Sequence, residues 1–256
     1  MIDFYRFQNL SHAPSCMHAI TKKDPNEPYA LSLALHTGEA LDEIVANRQK
    51  IISELDMSQE SYFVVAQQTH SDQITVIEES RTRGWETVED AVAQSDALIT
   101  NLRGVMLAIL TADCVPILLY DKKRKVAAAV HAGWKGTRAH IVLKSVEKMV
   151  EVYGSDPSDI LAGIAPSIGI CCYEVGQEVA SHFFDIPEAL TQKGEKYMLD
   201  LPYINRYQLL KAGLSEENIE MSGVCTACEA ESFFSYRKEQ KCSGRFMSLI
   251  GIMPEA

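Results

Sequence analysis

Short apolar runs broken by polar turns recur along most of the chain, and their periodicity separates strands from helices. Ser61 to Gln67 (SYFVVAQ) is β-branched and aromatic and predicts a strand that ends just before His70. Val105 to Leu110 and Val115 to Tyr120 predict two more strands, separated by Thr111-Ala112-Asp113-Cys114, and Val126 to Val130 predicts another, followed at once by His131. Ile160 to Ile164, Ile219 to Val224 and Phe246 to Ile252 complete the predicted strands. Helical spacing appears from Glu39 to Leu55, with Leu41, Ile44, Val45, Ile51, Ile52 and Leu55 on one face. It returns from Thr137 to Tyr153, where Ile141, Val142, Val146, Met149 and Val150 share a face, Gly154 predicts a left-handed cap and Pro157 opens the next unit. Two further helices are expected near Val175–Phe184 and Tyr203–Ala212. Strands interleaved with helices predict a mixed α/β (α+β) domain occupying residues 1–256. No repeat, low-complexity tract or long Pro/Gly/Ser linker divides the chain.

Composition narrows the function. The 256 residues carry 35 acidic against 24 basic side chains, a net charge of −11. The basic run Lys122-Lys123-Arg124-Lys125 reads as a solvated hairpin turn between two strands. Without a basic footprint, sequence-independent nucleic-acid binding is not expected, although a local pocket of positive charge would still accept a small anion. The apolar stretches are too short to span a bilayer, and the N-terminus lacks a basic region followed by an apolar run, so no signal peptide is read there. Seven cysteines, an odd number that includes the adjacent pair Cys171-Cys172, do not form a disulfide framework. That cysteine usage fits a reducing cytoplasm; oligomeric state is not encoded in these features, and a monomer or homodimer is the expectation.

Candidate chemistry gathers where strands give way to turns. His70, Cys114 and His131 are separated by 43 and 16 residues, yet each follows or abuts a predicted strand. Two imidazoles and a thiolate are a donor set that zinc accepts, with a fourth position left open for catalysis. A lone buried Cys or a lone His after a strand is more commonly packing, so spacing alone leaves both readings open. Asp113 precedes Cys114 and is placed to orient a His, act as a base or cap a turn. Arg48, His36 and Lys135 are candidates for binding phosphate through charge-assisted hydrogen bonds; as plain structure, Arg48 would form a surface ion pair and Lys135 would be solvated. Gly163 to Gly176 is a glycine-rich segment able to turn N–H groups toward an anion, or to form a tight turn only. Cys225 and Cys228 form a Cys-x-x-Cys with no second pair of that spacing, which leaves unpaired buried thiols as the default. Arg237 follows a pair of phenylalanines expected in the core.

Read as strings, QQTHSDQI (67–74), SDALIT (95–100), TADCVPILLYD (111–121), AAVHAGWKGT (128–137), GIAPSIGICCYEVG (163–176) and CTACEAESFFSYR (225–237) resemble the YfiH family over nearly the whole chain. Asn47-Arg48 keeps that family's Asn-Arg pair, while Ala34 and Glu39 depart from its usual residues. The family was long labelled laccase-like or polyphenol oxidase and is now associated with purine nucleoside phosphorylase activity. The resemblance implies packed mixed β-sheets flanked by helices and one Zn2+ bound by His70, Cys114 and His131. It also implies phosphorolysis of adenosine, inosine and methylthioadenosine, with adenosine deamination as a further activity. Purine nucleoside and phosphate are then the expected partners, with neither nucleic acid nor membrane.

Three other readings compete. A multicopper oxidase needs roughly ten His ligands, several in His-x-His pairs; seven histidines and no His-x-His exclude it, leaving copper as an adventitious occupant of the zinc site. A cysteine hydrolase would use Cys114 as nucleophile and His131 as base on an amide of a cell-wall precursor. A non-enzymatic interaction module would close the zinc site with a fourth ligand, Cys225 or Cys228.

Overall fold

Alternation along the long strands decides the architecture. In the strand Val115–Asp121, Ile117 and Leu119 enter one apolar cluster with Ala128 and Val130, while Leu118 and Tyr120 enter a second with Leu107 and Ile109. In Val105–Thr111, Leu107 and Ile109 join that second cluster and Met106, Ala108 and Leu110 form part of a third. A strand covered on both faces needs a polar side chain on neither, which is why these runs are continuously apolar. The computed structural model, which describes residues 2–57, 61–240 and 244–254, accordingly stacks helix, sheet, sheet and helix.

The two inner layers are mixed sheets. A five-stranded sheet runs in the order Phe4–Tyr5, Cys16–Thr21, Phe246–Ile252, Val105–Thr111, Tyr62–Val65, with only its last pair parallel. A six-stranded sheet runs Ile219–Met221, Ile160–Ile164, Val115–Asp121, Val126–Ala132, Ala97–Thr100, Ile74–Val76, parallel only at its two edges. Helix Leu41–Glu54 covers the outer face of the first sheet, where Ile51 packs with Leu33, Phe63 and Trp85. Helices Ile141–Tyr153 and Leu201–Lys211 cover the second through Ile141, Val142, Val146, Met149, Ile204 and Leu209. No helix among the described residues is long and apolar enough to cross a membrane.

Mixed α/β architecture with packed sheets agrees with the expectation from sequence, but three details differ. The helix expected over Thr137 to Tyr153 is two helices, Trp134–Arg138 and Ile141–Tyr153, because His140 takes a left-handed conformation with φ of 62°. Glu174–Val175 is a short strand, so the helical segment expected at Val175–Phe184 is reduced to Gln177–Ala180 and a single 3-10 turn. His131 lies inside the strand Val126–Ala132, paired with Pro116, rather than after it. The turn after Asp121 is a hairpin, and Gly154 caps its helix with φ of 65°, both as expected.

One buried histidine contributes to the pH response of the fold. His18 is 1% exposed, and its Nε2 accepts the Phe7 N–H at 2.8 Å, which requires the neutral ring. Burial, helped by the charge of Arg6, lowers its pKa to about 4. Between pH 4 and about 6.5 the unfolded chain therefore binds a proton that the folded one refuses, so stability falls as pH is lowered through that window. The full effect is on the order of 3 kcal/mol. The wild-type-minus-His18→Gln difference in denaturant midpoint is expected to fall as pH is lowered from 6.5 to 4, a comparison in which contributions from other histidines cancel; a difference that does not change with pH would contradict it.

Candidate metal centre and active site

His70, Cys114 and His131 come from three separate backbone segments that meet between the two sheets. His70 follows the strand Tyr62–Val65 of the first sheet, Cys114 sits in the turn where the chain passes from the first sheet to the second, and His131 belongs to the second. They meet at a junction of two sheets and not at neighbouring strand ends of a single sheet. One donor atom from each of the three residues lies within 4.8 Å of the others. The Cys114 Sγ stands 3.7 Å from the His70 Nε2, and the two imidazole rings meet edge to face with centroids 4.8 Å apart. No fourth His, Cys, Asp or Glu joins the group among the described residues.

The residue that builds this geometry is Asp96, which lies within the SDALIT string but carried no assigned role there. The antiparallel pairing of Ala97 with Val130 sets Asp96 beside His131. Its Oδ1 accepts the His131 Nδ1–H at 2.7 Å and the His70 main-chain N–H at 3.0 Å. Its Oδ2 accepts the N–H groups of Ser71 at 2.7 Å and Thr69 at 3.2 Å, and the Ser71 hydroxyl at 2.6 Å. One buried carboxylate therefore fixes the His131 tautomer and the turn carrying His70, whose φ of 59° few non-glycine residues adopt without such support. Burial alone would raise the Asp96 carboxyl's pKa; hydrogen bonds from His131 and Ser71 outweigh it and hold the group well below the usual carboxylate range. Asp113, a candidate to orient a His, act as a base or cap a turn, makes no hydrogen bond to either ring among the described residues. Its carboxylate instead accepts the Thr226 hydroxyl and the Arg237 N–H, each at 2.7 Å, and its φ is 93°.

Electrostatics favour a thiolate facing an imidazolium, whose Nε2 proton a metal ion would displace. Burial opposes ionisation of Cys114, but the charge of His131, followed by contacts with His70, lowers its pKa below the ordinary thiol range. Burial likewise opposes protonation of His131, and the Cys114 charge and the Asp96 carboxylate raise its pKa. With Nδ1 committed to Asp96, the His131 Nε2 is left for a ligand. Two imidazoles and a thiolate, with the ring tautomer fixed by a carboxylate, make a donor set suited to a metal ion.

Gly133 leaves room for this arrangement. A Cβ there would lie 3.0 Å from the His70 Cδ2 and 3.1 Å from the Cys114 Sγ. Gly133→Ala is expected to displace both ligands and weaken metal binding by about 10–100-fold, the range for residues that set ligand orientation; competition against a chelating dye measures it.

The three ligands border a cavity of about 600 Å³. Its wall also includes His36, Arg48, Asp113, Tyr173, Tyr236, Arg237 and Arg245. The other sequence candidates separate. Arg48 is 1% exposed, and its guanidinium donates to the carbonyls of Leu33, Gly84 and Trp85 at 2.6 to 2.9 Å. It supports the wall from inside rather than forming a surface ion pair. Burial lowers its pKa to about 9, which still leaves it cationic at neutral pH. His36 borders the cavity, where burial and the charges of Arg245 and Arg48 lower its pKa. Lys135 is exposed over the Trp134 ring and faces a separate hollow on the other side of His70, so it leaves the set of groups around Cys114. Arg237 does reach the cavity, stacked 5.3 Å above the Tyr173 ring, while Phe233 and Phe234 are buried in the core. Arg245, Tyr173 and Tyr236 were not singled out from sequence; nothing in their local spacing distinguishes them. Cys225 and Cys228 lie in a different cluster with Cys171 and Cys172, so neither closes the His70–Cys114–His131 group.

Comparison with known proteins agrees with this geometry. Residues 20–253 match a family described as multi-copper polyphenol oxidoreductase laccase. The chain is 36% identical over 230 residues to purine nucleoside phosphorylase YlmD of Bacillus subtilis, covering 87% of this chain and 82% of the relative. It is also 36% identical over 222 residues to adenosine deaminase RL5 of an unknown prokaryotic organism, covering 84% and 77%. The crystal structure of hypothetical protein YfiH from Bacillus licheniformis superposes with a TM-score of 0.87 at 33% identity, covering 93% of this chain and 92% of that one.

Proposed function

The chain belongs to the YfiH family of laccase-like proteins, and from that membership and the site's geometry we propose a zinc-dependent purine nucleoside phosphorylase. Its substrates are adenosine, inosine or methylthioadenosine. The observation that carries the reading is a three-donor group, lacking a fourth protein ligand among the described residues, set in the wall of a cavity large enough for a nucleoside. Zinc, when bound there, supplies a compact positive charge that polarises an oxygen or nitrogen of the reactant.

The chain's own residues account for the rest. In phosphorolysis the bond between the sugar carbon and the purine nitrogen breaks, a phosphate oxygen bonds to that carbon, and the purine leaves with the electron pair and gains a proton. Phosphate needs positive charge, which a chain of net charge −11 must provide locally. Arg48 and Arg245 provide it, and their charges, with burial, keep the neighbouring His36 neutral until a bound anion offsets them. Arg48 acts through its field, its N–H groups being committed to carbonyls, and His36 is the group of the three that gains a proton most readily when the anion enters. Tyr173 and Tyr236 offer aromatic faces to the purine. Asp113 acts as a positioning residue: it ties the Arg237 backbone and Thr226 to the turn that carries Cys114.

The similarity to an adenosine deaminase favours a second activity of the same site, in which water oxygen bonds to the purine ring carbon and ammonia leaves. Multicopper chemistry is not proposed despite the family's description, because the seven histidines provide only one group with two imidazoles together among the described residues. The Asp96–His131–Cys114 array also has the order of a nucleophilic triad, the arrangement a cysteine hydrolase would use. Incubation of zinc-loaded protein with adenosine, with and without phosphate, separates these readings. Phosphate-dependent adenine and ribose 1-phosphate are expected; phosphate-independent inosine marks deamination, and no purine product from stoichiometrically loaded protein overturns the proposal.

A further inference from the structure

A second group of metal donors stands apart from the cavity ligands. Cys171 and Cys172 lie in the glycine-rich segment after the strand Ile160–Ile164, and Cys225 and Cys228 lie in the loop after Ile219–Met221. The four sulfurs all lie within 4.8 Å of one another. Cys228 Sγ is 3.6 Å from Cys171 Sγ and 3.5 Å from Cys172 Sγ. Four thiolates on one zinc, each about 2.3 Å from the ion at tetrahedral angles, sit about 3.8 Å apart. The two Cys228 separations are close to that value, and the other sulfurs lie within 4.8 Å of one another. Both Cys228 separations are too long for a bonded pair of sulfurs.

The backbone is built to hold this group. Ser167 bridges to Cys225, and Thr226 donates its N–H to the Ser167 carbonyl at 3.0 Å, which clamps the two loops side by side. Cys228 turns back with its N–H on the Cys225 carbonyl at 3.1 Å, and Cys172 does the same onto Gly169 at 3.0 Å. The Gly169 N–H donates to the Cys225 sulfur at 3.3 Å, a bond that favours thiolate charge. Gly169 itself has no spare space: a Cβ there would meet the Cys225 Cβ at 3.3 Å and the Cys171 Sγ at 3.4 Å. The default of buried unpaired thiols does not describe this site, since Cys171 and Cys228 are exposed and the group is open to an ion from solvent.

We propose that Cys171, Cys172, Cys225 and Cys228 bind a second zinc ion, structural and fully enclosed by four protein ligands. Binding releases the four thiol protons to solvent and leaves a site of net charge −2. The ion staples a loop that borders the catalytic cavity, through Ile168 and Tyr173, to one whose Thr226 holds the cavity-lining Asp113 beside Cys114. The Ile168 N–H also bonds the Asp113 carbonyl at 2.9 Å. The inference does not depend on the reaction proposed above.

Metal content of the full chain, purified reduced from zinc-supplemented cells and measured per chain, is the test. Two zinc ions are expected in the wild type, one in Cys225→Ser/Cys228→Ser, and one in His70→Ala/Cys114→Ala. The last variant lacks the cavity site, so zinc-edge X-ray absorption should read four sulfurs and no nitrogen around its remaining ion. It also keeps the test decisive if the cysteine double variant fails to fold, and it separates failure of this site from failure of the catalytic reading. A metal-free His70→Ala/Cys114→Ala protein, stoichiometric iron in place of zinc, or a disulfide among the four cysteines in the reduced preparation would each overturn the assignment.

Discussion

Cys114→Ala is expected to lose the cavity metal and with it about 10³-fold of purine nucleoside turnover. The thiolate is one of only three donors there, and it supplies the negative charge that two neutral imidazoles cannot. A Lewis-acidic ion contributes several kilocalories of stabilisation to developing charge, and each 1.36 kcal/mol is tenfold in rate, hence an effect of about 10³. Loss of turnover in this variant alone would also follow if Cys114 were a nucleophile. His70→Ala makes the distinction. It leaves the Cys114–His131–Asp96 array in place, so a cysteine hydrolase should survive it, whereas a metal enzyme should lose both ion and activity to a similar degree. Metal analysis alongside product assays for both variants reads the outcome.

Asp96→Asn is expected to lower metal affinity by about 10–100-fold and to destabilise the fold, even though the side chain keeps its size. The carboxylate accepts on both oxygens: Oδ1 from the His131 ring and the His70 N–H, Oδ2 from Thr69 and Ser71. Asparagine has one acceptor and one donor. If its oxygen faces His131, its NH2 confronts two main-chain N–H groups; if it flips, the NH2 confronts the imidazole N–H and drives His131 to the other tautomer, which puts a proton on the nitrogen facing Cys114. Each orphaned buried donor costs about 1–3 kcal/mol. A drop in denaturation midpoint together with weaker zinc binding in a chelator competition is the expected pair of results. Asp96→Asn with wild-type affinity would show that ligand orientation does not depend on the carboxylate.

How much of this was legible before the structure depended on whether the signal was local. Val105–Thr111, Val115–Asp121 and Val126–Ala132 announce themselves because both faces of each strand are covered, and the helix Leu41–Glu54 because one face is. The edge strands Phe4–Tyr5 and Leu190–Lys193 carry few buried side chains and give no such pattern. Arg48 reads as a phosphate ligand or a surface ion-pair partner because a helix's periodicity cannot disclose a carbonyl pocket made by Leu33, Gly84 and Trp85. The three cavity ligands were legible through motif resemblance, but their meeting between two sheets depends on strand order, which no run of residues encodes. Asp96 is silent for the same reason: its role arises from register, when Ala97 pairs with Val130. The four-cysteine group is more extreme, since Cys171-Cys172 and Cys225-x-x-Cys228 have meaning only once two distant loops are clamped together.

The central claim is that a catalytic ion is held by exactly three side chains and keeps one position for the reactant. A zinc-edge anomalous difference map from crystals of the full chain tests it directly. The predicted result is a peak within bonding distance of the Cys114 Sγ, the His131 Nε2 and a His70 ring nitrogen, with its fourth contact made by solvent or substrate. A peak closed by a fourth protein side chain, or no zinc between those residues in a protein that still turns over nucleosides, would contradict it.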